Sequence, residues 1–228
     1  MTPILLLSLL AAPGYTDCPG NAPQTMLIQG HMWQSGGREG LEVYVPQAGD
    51  LILFRNRNIL ARAAYYISLS GGTTHVGLVV AKADGTLTML EAMPGAPVIM
   101  GDLCNRVTQY TGQVSVRRRK TALTPEQSIR LTEFACAQVG KPFHLLGLLV
   151  PPVSMPFKIL GKPLDPNCLE RSRWICTSLV LRTCISAGVL CPDKINPEGA
   201  CASDLADDLC LDLSCGWDTP VNCSKSCK

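Results

Sequence analysis

Histidine is scarce in this chain: His31, His75 and His144 are the only three among 228 residues. Any chemistry that needs an imidazole has to be built on one of them. Excess charge of either sign is also missing, with 20 Lys and Arg against 18 Asp and Glu. That removes the basic footprint of a nucleic-acid binder, so no nucleic-acid partner is expected. Charged residues are few (17%) and hydrophobic ones plentiful (46%), which excludes a disordered chain. No apolar run approaches the roughly 20 residues of a bilayer-crossing helix. No Cys-x-x-Cys pair occurs either, which argues against a zinc site of the usual spacing.

The run Ile4 to Ala12 has the length of a signal-peptide hydrophobic segment. No Lys or Arg precedes it, and its only small-residue exit is the awkward Ala12-Pro13-Gly14; a core segment is the alternative. Residues 1–14 are read as a signal peptide, which gives an extracytoplasmic or secreted protein. The twelve cysteines agree, being many for a reducing compartment. Nine lie between Cys168 and Cys227. With Cys176 set aside, eight remain there, and four disulfide bridges are expected. Cys18, Cys104 and Cys136 are then an odd set that leaves at least one more thiol.

Residues 13–40 are rich in Gly, Pro and polar groups and read as loop. Short strands are expected at 41–45 and 51–54, and a helix at 59–69. The β-branched run Val76-Gly77-Leu78-Val79-Val80 reads as a strand. Ala83-Asp84-Gly85 is a turn signal, and 86–93 is the return strand. A further strand is expected at 114–120. Thr124-Pro125-Glu126-Gln127 is a helix start with a capping box and Pro at the first position. That helix should bury Leu131, Phe134, Ala135 and Val139 and stop at Gly140. The apolar, Pro-rich stretch 143–168 is read as a long structured loop, either packed on the core or walling a substrate groove. Gly-Asp-Leu at 49 and again at 101 is taken as chance.

From Cys176, small or apolar residues recur at 176, 179, 180, 183, 184 and 187, the stripe of a core-facing helix that ends at Gly188. A cysteine in the first turn sits among unpaired N–H groups at the positive dipole end, where a thiolate is stabilised. His75 opens its strand. If the turn is a three-residue loop at 83–85, Glu91 falls opposite Gly77 and on the face of His75. A two-residue loop would separate them. Gly77 would leave room for the carboxylate to lean toward the imidazole, fixing its tautomer as in other nucleophile–base–carboxylate sites.

Gly49-Asp50-Leu51-Ile52-Leu53-Phe54, Thr74-His75-Val76-Gly77-Leu78-Val79, Leu90-Glu91-Ala92, Gly140-Lys141-Pro142-Phe143 and Cys176-Thr177-Ser178-Leu179-Val180, in that order, resemble the circularly permuted papain-like amidases of the YaeF/YiiX kind. These are relatives of NlpC-type cell-wall peptidases and of lecithin retinol acyltransferase. The resemblance spans about residues 46–190. It implies an α+β papain-like domain with an antiparallel sheet and packed helices, here 41–190, with a Cys-rich tail at 191–228 packed on it. It implies Cys176 as nucleophile with its backbone N–H in the oxyanion hole, His75 as general base and acid, and Glu91 as the group that orients His75. The family often has Cys-Ser-Glu where this chain has Cys176-Thr177-Ser178, a difference that bears on substrate contacts.

The expected activity is a thiol amidase or peptidase acting on peptides, cell-wall peptides or N-acyl compounds, with neither cofactor nor metal. Alternatives are an acyltransferase or esterase acting on lipids, with contact to a membrane surface, and a secreted binding module that uses Cys176 in a disulfide. Ser178 and Tyr110 are further polar candidates without an assigned role, and His144 reads as a loop residue. Arg117-Arg118-Arg119-Lys120 reads as a solvated face, with anionic lipid or wall polymer as the alternative contact. The acidic stretch 204–212 reads as a helix surface.

Overall fold

The computed structural model describes residues 26–30, 40–56, 72–144, 171–208 and 211–227. The expected signal segment, the 59–69 helix and most of the 143–168 loop lie outside them. Eight described strands run β1 Met26–Gly30, β2 Gly40–Tyr44, β3 Leu51–Arg55, β4 His75–Ala81, β5 Leu87–Glu91, β6 Ile99–Asp102, β7 Gln113–Arg117 and β8 Val221–Cys227. They form one antiparallel sheet in the order β2-β1-β8-β7-β3-β4-β5-β6. The helices are α1 Leu103–Gln109, α2 Pro125–Gln138, α3 Cys176–Ser186 and the single turn α4 Asp204–Asp207. The class is α+β.

Both faces of the central strands are covered, which is why Leu51 to Phe54 and Val76 to Val80 read as near-continuous apolar runs. On one face Leu53, Val76, Leu78, Val80 and Leu90 pack with Leu131 and Ala135 of α2 and with Leu179 and Val180 of α3. On the other, Ile52, Phe54, Val79 and Met89 pack with Leu103 and Val107 of α1 and with Tyr44.

The start of α2 follows the capping-box reading. Thr124 accepts from the Gln127 N–H at 3.2 Å, and Gln127 Oε1 accepts from the Thr124 N–H at 3.1 Å. Its far end differs. Val139 is exposed and Gln138 is fully buried. Val139 is the C-cap and leaves helical geometry (ψ 136°), so its side chain no longer follows the buried stripe. Phe134 is only partly buried.

Residues 13–40 are not all loop, because β1 pairs with both β2 and β8. The Cys-rich tail supplies β8, a strand inside the same sheet. The basic run is not a solvated face. Arg117 is fully buried and donates to Leu205 O (2.9 Å), Asp218 O (3.0 Å) and Asp208 Oδ2 (2.7 Å). The Arg119 guanidinium stacks 4.3 Å from the Trp217 ring centroid, and Lys120 reaches Ser214 O at 2.6 Å. The run fastens the tail to β7. Nor is 204–212 a helix surface: α4 is four residues long, and buried Asp204 accepts from the Cys201 N–H at 2.8 Å.

Four bridges among the eight tail cysteines do not form. Cys184, Cys191, Cys215 and Cys223 are thiols, and the Cys201 thiol hydrogen-bonds Asp204 Oδ2 at 3.1 Å. Their surroundings differ: Cys184 faces the α3 core and Cys223 lies against the opposite sheet face. Cys104 is disulfide-bonded, whereas Cys136 is a thiol.

Candidate active site

The hairpin that carries His75 and Glu91 turns through residues 83–85. Lys82 N–H donates to Thr86 O at 2.8 Å, and Gly85 takes φ +84°, the left-handed position that closes a three-residue loop. Pairing then runs from Ala81↔Leu87 to Leu78↔Leu90. One further step sets Glu91 against Gly77, on the face of His75. Glu91 Oε2 lies 2.9 Å from His75 Nε2. The space at Gly77 has a different tenant from the one expected. A Cβ there would sit 2.7 Å from Met89 Sδ, so the missing side chain admits Met89, not the carboxylate.

Cys176 arrives from the other side of the sheet. Residues 142–144 run beside Trp174: Trp174 N–H donates to Pro142 O at 3.1 Å and His144 N–H to Trp174 O at 2.8 Å. Phe134 packs edge-on to the buried Trp174 ring, centroids 6.2 Å apart. This aims Cys176, two residues on, at the beginning of β4. The β4–β5 ladder ends at Leu78↔Leu90, leaving the Val76 N–H to point at the Cys176 sulfur, together with the Thr177 N–H. The N-cap of α3 is Ile175, whose side chain makes no capping bond. No side-chain oxygen therefore competes for the N–H groups of the first turn.

The structure thus brings His75, Glu91 and Cys176 together. Burial pushes the Cys176 thiol up, but the hydrogen bond and charge of His75, with the Val76 and Thr177 N–H groups, outweigh it and hold the thiol below its ordinary 9.0. Burial disfavours the His75 cation, yet hydrogen bonds to Cys176 and Glu91 raise its pKa to about 9. Burial would raise Glu91, but His75 and then Arg106 keep its carboxyl below the ordinary 4.5. The combination favours a thiolate–imidazolium pair backed by a carboxylate. With Nε2 on Glu91, Nδ1 is the ring nitrogen left for the sulfur.

Arg106 was not among the residues singled out from sequence. Its Nε donates to Glu91 Oε1 at 2.9 Å and Oε2 at 3.1 Å. A signal for its helix was present: Asp102, followed by Leu103 and Val107 four apart. Asp102 Oδ1 accepts from the Asn105 N–H at 2.6 Å, so the second Gly-Asp-Leu serves as an N-cap. The first is a hub. Asp50 accepts from Tyr44 Oη (2.6 Å), Gln47 N–H (3.1 Å) and Arg119 N–H (2.7 Å).

The remaining candidates take supporting places. Ser178 is buried and donates to Ile175 O at 3.2 Å. Tyr110 packs edge-on to Phe54, centroids 4.9 Å apart. His144 contributes its backbone as above. The outer face of α3 is covered as well as the inner one, so Cys176 through Ile185 are all buried. Thr177 Oγ1 donates to Ala200 O at 2.9 Å, and Arg182 Nε donates to Glu198 Oε1 at 2.9 Å. The segment after Cys191 therefore clamps the Cys176 helix. Among the described residues no three His, Cys, Asp or Glu are grouped to hold a metal ion, and no helix is long and apolar enough to cross a membrane.

No family model and no curated protein matches the chain. A solved structure with some likeness is a crystal structure of the metalloprotein yiiX from Escherichia coli O157:H7. It is 23% identical, with a TM-score of 0.44, over 63% of this chain and 67% of that one.

Proposed function

We propose that the protein is a thiol hydrolase of the permuted papain-like kind, an amidase or peptidase in which Cys176 is the nucleophile, His75 the acid and base, and Glu91 the residue that orients His75. The observation that carries this reading is the continuous chain from Cys176 through the His75 imidazole to Glu91 Oε2, 2.9 Å from Nε2, at the uncapped start of a buried helix.

Cys176 thiolate attacks the acyl carbonyl, and the C–S bond forms as the carbonyl π electrons move onto oxygen. N–H groups of the first turn of α3, that of Cys176 among them, stabilise the resulting oxyanion. The imidazolium of His75 then gives its proton to the departing amine as the C–N bond breaks, leaving a thioester and a neutral imidazole. His75 next takes a proton from water, whose oxygen attacks the thioester. The carboxylic acid leaves and the thiolate–imidazolium pair returns. The substrate class is a peptide, a cell-wall peptide or an N-acyl compound, met outside the cytoplasm.

The test is iodoacetamide labelling of Cys176 across pH, read by peptide mass spectrometry, in wild type and His75→Ala, beside hydrolysis of a panel of peptide anilides and N-acyl amides. Labelling well below the free-thiol pKa of about 8.5, lost in His75→Ala, with turnover of at least one amide abolished in Cys176→Ala, is the expected result. A Cys176 that labels like an ordinary thiol overturns the reading.

A further inference from the structure

Arg106 reaches the site by two routes. Its Nε lies 2.9 and 3.1 Å from the two oxygens of Glu91. Its guanidinium also lies over the Phe54 ring at 4.8 Å, and that ring packs on the His75 imidazole at 5.4 Å. The arginine is itself held, with Nη2 3.2 Å from Met93 Sδ and the Tyr110 ring 5.5 Å from its centre. Glu91 is 1% exposed, so water cannot substitute for these donors. A buried carboxylate between two cationic partners stays ionised and cannot rotate without losing hydrogen bonds.

We propose that Arg106 is a positioning residue of this site: by gripping both Glu91 oxygens and backing the Phe54 ring, it fixes the carboxylate and so the imidazole that faces Cys176. The proposal rests on the thiol-hydrolase reading for its catalytic meaning. Arg106 acts through its contacts with Glu91 and Phe54. Among the described residues, the titratable groups that act on the Glu91–His75 pair are Arg106 from α1 and Cys176 from α3, and Tyr110, the C-cap of α1, lies beside Arg106. Removing the Arg106 cation leaves Glu91 with one charged partner in place of two. Its carboxyl then protonates at higher pH, and its hold on His75 is lost earlier as the pH falls.

The experiment compares wild type, Arg106→Met and Arg106→Lys. Side-chain carbon NMR follows Glu91 titration, iodoacetamide labelling follows Cys176, and near-ultraviolet circular dichroism reports folding. In Arg106→Met, the Glu91 midpoint is expected to rise by about one pH unit or more, the size of an opposite-charge effect at this range. The acid limb of Cys176 labelling should move with it. Arg106→Lys should recover part of both shifts. Folded Arg106→Met with both profiles unchanged overturns the proposal and leaves a packing residue. If Arg106→Met does not fold, Arg106→Lys and Arg106→Gln decide on the same readouts: wild-type profiles in both overturn it, and a graded shift from Lys to Gln supports it. An ordinary thiol profile for Cys176 in wild type sinks the hydrolase reading together with the catalytic meaning of Arg106. A reactive wild-type Cys176 indifferent to Arg106 sinks this proposal alone.

Discussion

Val76 and Cys176 meet where a ladder stops. Strand β4 is paired with β5 only from Leu78 onward, so the Val76 N–H is available to the Cys176 sulfur, while its neighbour His75 faces the same sulfur with its ring. One strand end thus supplies both a fixed backbone donor and a movable proton. The Cys176 sulfur is met by the sheet and by its own helix at once.

Charge on Glu91 is what the imidazolium needs. Glu91→Gln keeps the shape and removes the charge, so the His75 pKa should fall from about 9 and the Cys176 thiol should rise. The acid limb of Cys176 labelling is expected to move up by about one pH unit, with little change at about pH 9. Superimposed limbs in the two proteins would show that the carboxylate does not reach the pair electrically.

Loop length decides whether Glu91 faces His75 at all. Deleting Asp84 shortens the 83–85 loop to two residues and turns the return strand over by one position. Glu91 should then leave the His75 face, and Cys176 labelling should revert toward an ordinary thiol profile. Gly85→Ala tests the turn more gently. Nothing lies within 4 Å of the added methyl, so the left-handed φ alone should cost about 1 kcal/mol, read as a lower urea midpoint with the labelling profile kept.

Gly77→Ala should destabilise by about 1–3 kcal/mol, because the new methyl would press on Met89 within a packed face. Met89→Ala should itself cost about 2–5 kcal/mol. The double variant should lose clearly less than the sum of the two, and additive losses in a double-mutant cycle would show that the Gly77–Met89 contact does not matter.

Arg117→Met should cost about 3 kcal/mol. It leaves the buried Leu205 carbonyl, and the part-buried Asp218 carbonyl and Asp208 carboxylate, without that donor. Limited proteolysis should cut the 205–218 region earlier than in wild type. An unchanged midpoint and cleavage pattern would mean that the tail is held by β8 alone.

Stability should carry two opposed slopes from the Cys176–His75 pair. The folded His75 pKa is raised from 6.5 to about 9, so between those values the folded state holds more of that proton and this contribution falls as the pH rises. The Cys176 thiol is held below its ordinary 9.0, so below 9.0 the unfolded state holds more of that proton and this contribution rises with pH. The difference in unfolding free energy between wild type and a His75→Ala, Cys176→Ala double variant should therefore vary little between pH 6.5 and about 9. A steep slope across that window would show that the two groups do not titrate as a pair.

Period-two and period-3.6 patterns and turn chemistry act within a few residues, so they were legible from the chain alone. The Thr124–Gln127 capping box, the 83–85 turn and the hairpin register that puts Glu91 on the His75 face all follow from local geometry. So does the placement of Cys176 in the first turn of a buried helix. What no local pattern contains is which distant segment fills a face. Nothing near Arg117 in sequence announces Leu205 or Asp218 as its acceptors, and nothing near Thr177 announces Ala200. Strand β8 reaches its place between β1 and β7 only because hydrogen bonding and burial across the whole sheet demand a partner there. The proximity of Cys176 to His75, a hundred residues apart in sequence, and the grip of Arg106 on Glu91 are likewise decided by tertiary packing. Charges and thiols acquire their pKa values from neighbours, and in this protein those neighbours are chosen by the fold.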